Sequence, residues 1–231
     1  MLKAVIFDMD GIIIDSEPIY HKVEMSMFKE LGLDLTDEHR YMYVGIRTVD
    51  MWQELKQRYD IEFSVEKLVE IEAKRISEFL ESQKKIKSIA GIKELLEELQ
   101  NNSIKIALAS SSSIRDIETV LNKTGFREYF NVIVSGDYVK NGKPAPDIFE
   151  LAVSQLNNMI ETSTDASSYI TPENCIVIED AHSGVRAAKA AGIKCIAYRS
   201  PNSGNQDLSE ADLIIDSFYE LSLNKMISLI R

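Results

Sequence analysis

The stretch that decides the fold is residues 4–11, AVIFDMDG, close to the amino terminus. Its first four residues are apolar and rich in Val, Ile and Phe, which predicts a buried β-strand. Asp8 and Asp10 follow one residue apart, and Gly11 lets the chain turn sharply. Open α/β sheets place their ligands at the carboxyl ends of their strands. The pattern therefore puts two carboxyl groups at the expected ligand-binding edge.

Short apolar runs recur along the chain, and helical patterns separate most of them. Strands of a parallel sheet are covered on both faces, so their sequences are continuously apolar. The pattern predicts an α/β fold with a doubly wound parallel sheet and the first strand at its centre. The six predicted strands are residues 2–7, 104–109, 132–134, 175–178, 193–197 and 213–215.

Residues 16–87 carry no convincing strand pattern. Apolar residues recur there at helical spacing, as in Val23, Met27, Phe28 and Leu31. We therefore expect a helical cap domain at residues 16–87, inserted into a core domain formed by residues 1–15 and 88–231. The active site is expected in the cleft between the two domains.

Composition restricts the class of partner. The formal net charge is −11, from 37 acidic residues against 26 Lys and Arg, and this argues against nucleic acid and anionic membrane as partners. No apolar run approaches the roughly 20 residues that span a bilayer. Cys175 and Cys195 lie in predicted buried strands and are expected to be free thiols. No secretory signal precedes the first strand, so we expect a cytoplasmic location.

Three further segments carry chemistry. Ser110 and Ser111 follow the second predicted strand, Lys143 lies in a loop stiffened by Gly and Pro (residues 141–147, NGKPAPD), and Glu179-Asp180 follows the fourth. Hydroxyls and free N–H groups at a helix start bind phosphate oxygens, and carboxylates suit Mg²⁺. Together with Asp8 and Asp10 these residues predict a magnesium-dependent phosphoryl transfer.

The four segments resemble the motifs of the haloacid dehalogenase superfamily, in its phosphatase and β-phosphoglucomutase-like branch, with residues 8–15 matching DxDGxxxD. The resemblance implies Mg²⁺ as cofactor and the same core with a helical cap. It implies that Mg²⁺ is held by Asp8, by Asp180 and by the backbone carbonyl of Asp10. The implied roles are Asp8 as nucleophile, Asp10 as general acid/base, Ser110 as phosphate-binding hydroxyl, Lys143 as phosphate-bridging cation, and Glu179 with Asp180 as the acidic metal pair, Glu179 ordering a metal-bound water.

Asp10 separates the reaction classes within this superfamily. A dehalogenase expels halide and needs no proton donor, whereas an alkoxide leaving group must be protonated. The presence of Asp10 therefore favours phosphoryl transfer. Ser111 is a second candidate for phosphate binding, although for Ser111, Ser112 and Ser113 we favour helix capping.

Substrate choice is expected in the cap, where His21 and Arg47 are the candidate substrate-binding residues. For His21 a surface or helix-packing role is favoured over substrate binding. For Arg47 contact with substrate is neither favoured nor disfavoured. Residues 157–171, rich in Asn, Ser and Thr, predict a solvated loop.

The leading function is hydrolysis of a small phosphate monoester such as a sugar phosphate. The expected partner is thus a small phosphorylated metabolite, and the chain is expected to be a monomer or weak homo-oligomer. One alternative is a β-phosphoglucomutase, and another is a non-catalytic phosphate sensor. The segment Asp15-Ser16-Glu17-Pro18 replaces the Asp-Thr-Ala typical of those mutases, and Ile76 stands near where they offer a lysine, which favours hydrolysis.

Overall fold

A computed structural model describes residues 1–43, 46–159 and 169–230. Strands and helices alternate after a helical stretch that follows the first strand. The strands are β1 (Ala4–Phe7), β2 (Lys105–Ser110), β3 (Val132–Ser135), β4 (Cys175–Glu179), β5 (Lys194–Tyr198) and β6 (Leu213–Ile215). The helices are α1 (Glu17–Glu30), α2 (Asp37–Tyr41), α3 (Thr48–Arg58), α4 (Val65–Ser82), α5 (Ile92–Asn101), α6 (Ile114–Thr124), α7 (Asp147–Asn158), α8 (His182–Ala190) and α9 (Leu223–Ile230).

The strands form one parallel sheet in the order β3-β2-β1-β4-β5-β6. β1 pairs with β2 on one side and β4 on the other, so that Ala4 lies opposite both Lys105 and Cys175. The six strands predicted from apolar runs are confirmed, with boundaries that differ by at most two residues.

Each face of the sheet is covered, because alternate side chains of the buried strands enter two separate clusters. Val5 and Phe7 of β1 join the cluster that includes buried side chains of α5, α6 and α9. Ala4 and Ile6 join the cluster that contains buried side chains of α7 and α8. The doubly wound α/β fold is therefore confirmed. Cys175 and Cys195 are buried free thiols in the second cluster.

Helices α1 to α4 occupy the chain between β1 and α5, and no strand occurs there in the described residues. The ring of Trp52 in α3 packs edge-on against Phe28 in α1, at 5.6 Å between centroids. The order of elements agrees with an inserted helical unit. The division into residues 16–87 and a core of 1–15 and 88–231 stays a prediction.

The predicted solvated loop at 157–171 is wrong at its first residues. α7 continues to Asn158, and the buried amide of Asn157 donates to the Ile170 carbonyl and accepts from the Ile170 N–H, each at 2.8 Å. Residues 160–168 of that prediction lie outside the described residues. Among the described helices, none combines the length and apolar character needed to cross a bilayer.

Candidate active site

Lys143 joins two strand ends. Its Nζ lies 2.7 Å from Asp8 Oδ1 and 2.7 Å from Glu179 Oε1, and it also donates to the carbonyl of Ala109 at 3.2 Å. Asp8 follows β1, Glu179 ends β4 and Ala109 is in β2, so three neighbouring strands present these groups at one edge. The side chains of Lys143, Asp8 and Glu179 are all more than 90% buried. The predicted loop lysine is thus held inside the site.

The carboxylates of Asp180 and Glu179 lie where side chains would begin at two glycines. Gly11 has φ +73°, and a Cβ there would overlap the Asp180 carboxylate. Gly184, in the first turn of α8, has no space for a Cβ because the Glu179 carboxylate lies against it. Glu179 Oε2 accepts the N–H groups of Asp180 (2.9 Å) and Ala181 (3.1 Å), so both Glu179 oxygens are engaged.

Negative charge is concentrated at this edge. Oxygens of Asp8, Glu179 and Asp180 lie within 4.8 Å of one another, which makes this group able to hold a metal ion. Burial raises the pKa of Asp8 to about 7, against the lowering effect of Lys143. Burial, followed by the charges of Glu179 and Asp8, raises the pKa of Asp180 well above its usual value. Burial acts to lower the pKa of Lys143, but the two carboxylates raise it, so the ammonium stays charged.

Asp10, two residues after Asp8, contacts a different set of side chains. Ser112 Oγ donates to Asp10 Oδ2 at 2.8 Å. Asp10 and Ser112 line a small cavity with Tyr20 of α1 and with Ile76 and Leu80 of α4. Burial raises the pKa of Asp10, whereas its bond from Ser112 lowers it. Asp10 therefore faces the helices that follow β1, while Asp8 faces Lys143.

The four consecutive serines have different surroundings. Ser110, at the end of β2, is fully buried, and its Oγ accepts the N–H of Ser112 at 3.1 Å. Ser113 caps α6 by accepting the N–H of Asp116 at 3.2 Å, as predicted. The capping prediction is wrong for Ser112, whose hydroxyl binds Asp10 instead. The exposed Ser111 presents its backbone carbonyl to Gly136, where a Cβ would not fit.

The two substrate candidates from the helical stretch bond to other partners. His21 Nε2 lies 2.8 Å from Asp37 Oδ1, with the His21 side chain 42% exposed. Arg47 makes a bidentate ion pair with Asp50 (2.7 and 2.8 Å) and is 68% exposed. Neither bonds to the acidic group in the described structure. Their roles in substrate binding stay predictions.

Tyr20 and Ser203 are candidate site residues that the sequence analysis missed. Tyr20 lies beside Asp10, whose negative charge, together with burial, raises the pKa of the phenol well above its usual value. Ser203, in the loop after β5, hydrogen-bonds to Asp180. The available signal for Tyr20 was its position one residue before His21 on α1. No motif pointed to Ser203.

The chain is similar over most of its length to proteins of one known family. The model of the haloacid dehalogenase-like hydrolases matches residues 5–198. The chain belongs to this family. It is 35% identical over 198 residues to a phosphorylated carbohydrates phosphatase of Thermotoga maritima, covering 84% of each chain.

Solved structures of the family share the whole fold. A β-phosphoglucomutase of Clostridium difficile superposes with a TM-score of 0.78 at 26% identity, covering 100% of this chain and 97% of that one. A mutant of CbbY of Rhodobacter sphaeroides, in complex with xylulose-(1,5)bisphosphate, gives a TM-score of 0.78 at 25% identity, covering 96% of this chain and 97% of that one. This haloacid dehalogenase-like protein is therefore an enzyme of the phosphatase and phosphomutase group.

Proposed function

We propose that this enzyme hydrolyses small phosphate monoesters, with sugar phosphates as the substrate class, in a Mg²⁺-dependent reaction through an aspartyl phosphate on Asp8. The observation that carries the proposal is the placement of Lys143 Nζ 2.7 Å from Asp8 Oδ1, beside Asp180. A carboxylate attacks an anionic phosphoryl group only where positive charge screens both partners and holds them in line.

The donor set fits Mg²⁺. Its side-chain donors are carboxylate oxygens, which a hard cation prefers, and Asp8, Glu179 and Asp180 bring three buried acidic groups together, whose negative charge a cation would neutralise. Both oxygens of Glu179 are already engaged, which favours Asp8 and Asp180 as direct ligands and an orienting role for Glu179. We retain the backbone carbonyl of Asp10 as a third ligand. When bound, Mg²⁺ supplies charge that stabilises the transferring phosphoryl group.

The chain's own residues account for the remaining steps. Asp8 attacks phosphorus and the bond to the ester oxygen breaks, while Asp10 gives that oxygen a proton. Asp10 then takes a proton from a water molecule that attacks the aspartyl phosphate, which releases phosphate and restores both carboxyls. The raised pKa of Asp10 suits a group that alternates between these states. Ser110, Ser111 and Lys143 are the proposed contacts to the phosphate.

The cavity beside Asp10 favours hydrolysis over a mutase. A mutase passes through a bisphosphate, whose second phosphate calls for positive charge opposite the first. Among the described residues this cavity has no Lys, Arg or His, and Ile76 and Leu80 give it an apolar wall. The β-phosphoglucomutase activity remains the second candidate because structural neighbours carry that name.

Sugar phosphates are proposed as substrates because one relative is a phosphorylated carbohydrates phosphatase and another is a hexitol phosphatase. A sensor without turnover is the weakest alternative, since Asp8, Asp10, Lys143 and Asp180 are all present. The cytoplasmic location and the monomeric or weakly oligomeric state stay predictions.

A panel of phosphate esters, with and without Mg²⁺, tests the proposal in wild type, Asp8→Asn and the exposed control Asp60→Asn. We expect phosphate release that needs Mg²⁺, is lost in Asp8→Asn and is unchanged in Asp60→Asn. Conversion of β-glucose 1-phosphate to glucose 6-phosphate without phosphate release would replace hydrolysis by the mutase. Phosphate release that persists in Asp8→Asn would overturn both.

A further inference from the structure

The loop after β5, residues 199–207 (RSPNSGNQD), covers one side of the acidic group and belongs to none of the four motifs. The Ser203 hydroxyl is hydrogen-bonded to Asp180 Oδ2. Because an ionised carboxylate has no proton to give, Ser203 is the donor whenever Asp180 is charged. The loop thus reaches a proposed metal ligand directly.

Hydrogen bonds to the start of α8 hold the loop in this place. Gln206 Oε1 accepts the backbone N–H of His182 at 3.0 Å, and Gln206 Nε2 donates to the Ser203 carbonyl at 3.1 Å. The His182 ring Nδ1 lies 2.9 Å from the Asp207 carbonyl, which accepts its proton. Because His182 follows Asp180 by two residues, the bonds from the loop to His182 hold the loop next to Asp180.

A second contact ties the loop to the connection that follows the first motif. Asn202 Nδ2 donates to Asp15 Oδ2 at 2.6 Å. Asp15 stands two residues before α1, so consecutive loop residues touch the acidic group and the start of the helical stretch. Loss of the Asn202 contact would leave Ser203 less firmly placed.

The Asp180 side chain is consequently confined on two sides. Gly11 lies so close that a Cβ would overlap the carboxylate, and Ser203 binds Oδ2. Rotation about the Cβ–Cγ bond would break the bond from Ser203. One oxygen is therefore fixed by the loop, and Oδ1 is left to accept a cation.

We propose that Ser203 is a positioning residue that fixes the Asp180 carboxylate for Mg²⁺, with Asn202 and Gln206 holding the loop that carries it. This rests on the proposed Mg²⁺-dependent function. Partners that orient a metal ligand typically change metal affinity 10- to 100-fold when removed. Ser203 should therefore control metal affinity, while the reacting groups Asp8 and Asp10 stay intact.

Calorimetric titration of the full chain with Mn²⁺, in the absence of substrate, tests this directly. We expect Ser203→Ala to weaken Mn²⁺ binding about tenfold, Ser203→Thr to restore it because the hydroxyl is kept, and Asn202→Ala to weaken it by a smaller factor. Ser209→Ala, at an exposed serine two residues beyond the loop, is the control and should bind as wild type does. Circular dichroism and thermal melts confirm that each variant is folded.

In turnover assays Ser203→Ala should raise the Mg²⁺ concentration for half-maximal rate, with kcat at saturating Mg²⁺ within about twofold of wild type. Mn²⁺ affinity in Ser203→Ala equal to that of wild type would overturn the proposal, as would failure of wild type to bind Mn²⁺. If Ser203→Ala binds Mn²⁺ more weakly and wild type hydrolyses no ester, the positioning role holds and the proposed function fails.

Discussion

Gly11 and Asp180 are packed so closely that the carboxylate of Asp180 occupies the place where a side chain at position 11 would begin. Gly11 also has φ +73°, a conformation that costs an L-residue about 1–2 kcal/mol. The glycine of the first motif therefore serves both the turn after Asp10 and the position of the acidic group.

Gly11→Ala should abolish measurable Mg²⁺-dependent activity, because the added methyl displaces the Asp180 carboxylate. The matched control is Gly32→Ala, at φ +70° with open space around the added Cβ. Both variants carry the same backbone cost, so Gly32→Ala measures that part of the loss of thermal stability, and Gly11→Ala should lose more stability and should also lose activity. Activity in Gly11→Ala equal to that in Gly32→Ala would contradict the role of this contact.

Much of the fold and part of the site could be predicted from the sequence, for one physical reason. Strands buried on both faces must be continuously apolar, so each of β1 to β6 could be predicted from an apolar run in the sequence. Because parallel strands align their carboxyl ends, Asp8 and Glu179 were expected at the same edge of the sheet. The pairing of β1 with β4, which brings both within reach of Lys143, is known only from the structure.

Contacts made across the fold could not be predicted in the same way. Which of four consecutive serines turns toward Asp10 depends on the backbone path after β2, and Ser112 does so. Tyr20 and His21 are adjacent on α1, and the packing of that helix decides that Tyr20 faces Asp10. Ser203 reaches Asp180 from 23 residues away along the chain, through a loop with no periodic pattern.

Lys143→Arg should lower kcat by about 100-fold or more, since this position stabilises charge at the reacting groups. The compact ammonium lies 2.7 Å from two carboxylates and 3.2 Å from the Ala109 carbonyl. A planar guanidinium cannot reproduce that point contact. Lys140→Arg, at an exposed position of the same loop, is the control and should leave kcat unchanged. A kcat of Lys143→Arg within threefold of wild type would refute the assignment.

Tyr20→Phe should lower kcat about three- to tenfold, the loss expected when one polar hydroxyl is removed from beside Asp10. The half-saturating Mg²⁺ concentration should not move, because Tyr20 is not among the acidic group. The control Tyr43→Phe removes a hydroxyl that bonds to Glu54, among the helices after β1. Equal kcat in the two variants would exclude a role for the Tyr20 phenol.

The free energy of unfolding should depend on pH through the ionisation of Glu72. Glu72 is buried in α4, where burial and the charge of Glu24 raise its pKa from 4.5 to about 7 in spite of hydrogen bonds from Trp52 and Thr48. Between these pH values Glu72 binds more protons in the folded state than in the unfolded state, so its contribution to the free energy of unfolding falls as pH rises from 4.5 to 7. At about 1.4 kcal/mol per pKa unit, the loss is of the order of 3 kcal/mol.

Urea unfolding of wild type, Glu72→Gln and the exposed control Glu78→Gln at pH 5 and pH 8 measures this effect. The free energy of unfolding of Glu72→Gln minus that of wild type should be more positive at pH 8 than at pH 5. The same difference for Glu78→Gln should not change between the two pH values. Parallel pH dependence in wild type and Glu72→Gln would show that Glu72 ionises normally in the folded protein.

Asp8 is expected to carry the phosphoryl group between substrate and water. The most direct measurement is acid quenching of the enzyme within milliseconds of mixing with a ³²P-labelled sugar phosphate and Mg²⁺, followed by proteolysis and mapping of the label. We expect the label on the peptide that contains Asp8, absent from Asp8→Asn, and chased off by unlabelled substrate. Steady hydrolysis with no label on that peptide, or with label on another residue, would show that Asp8 does not carry the phosphoryl group.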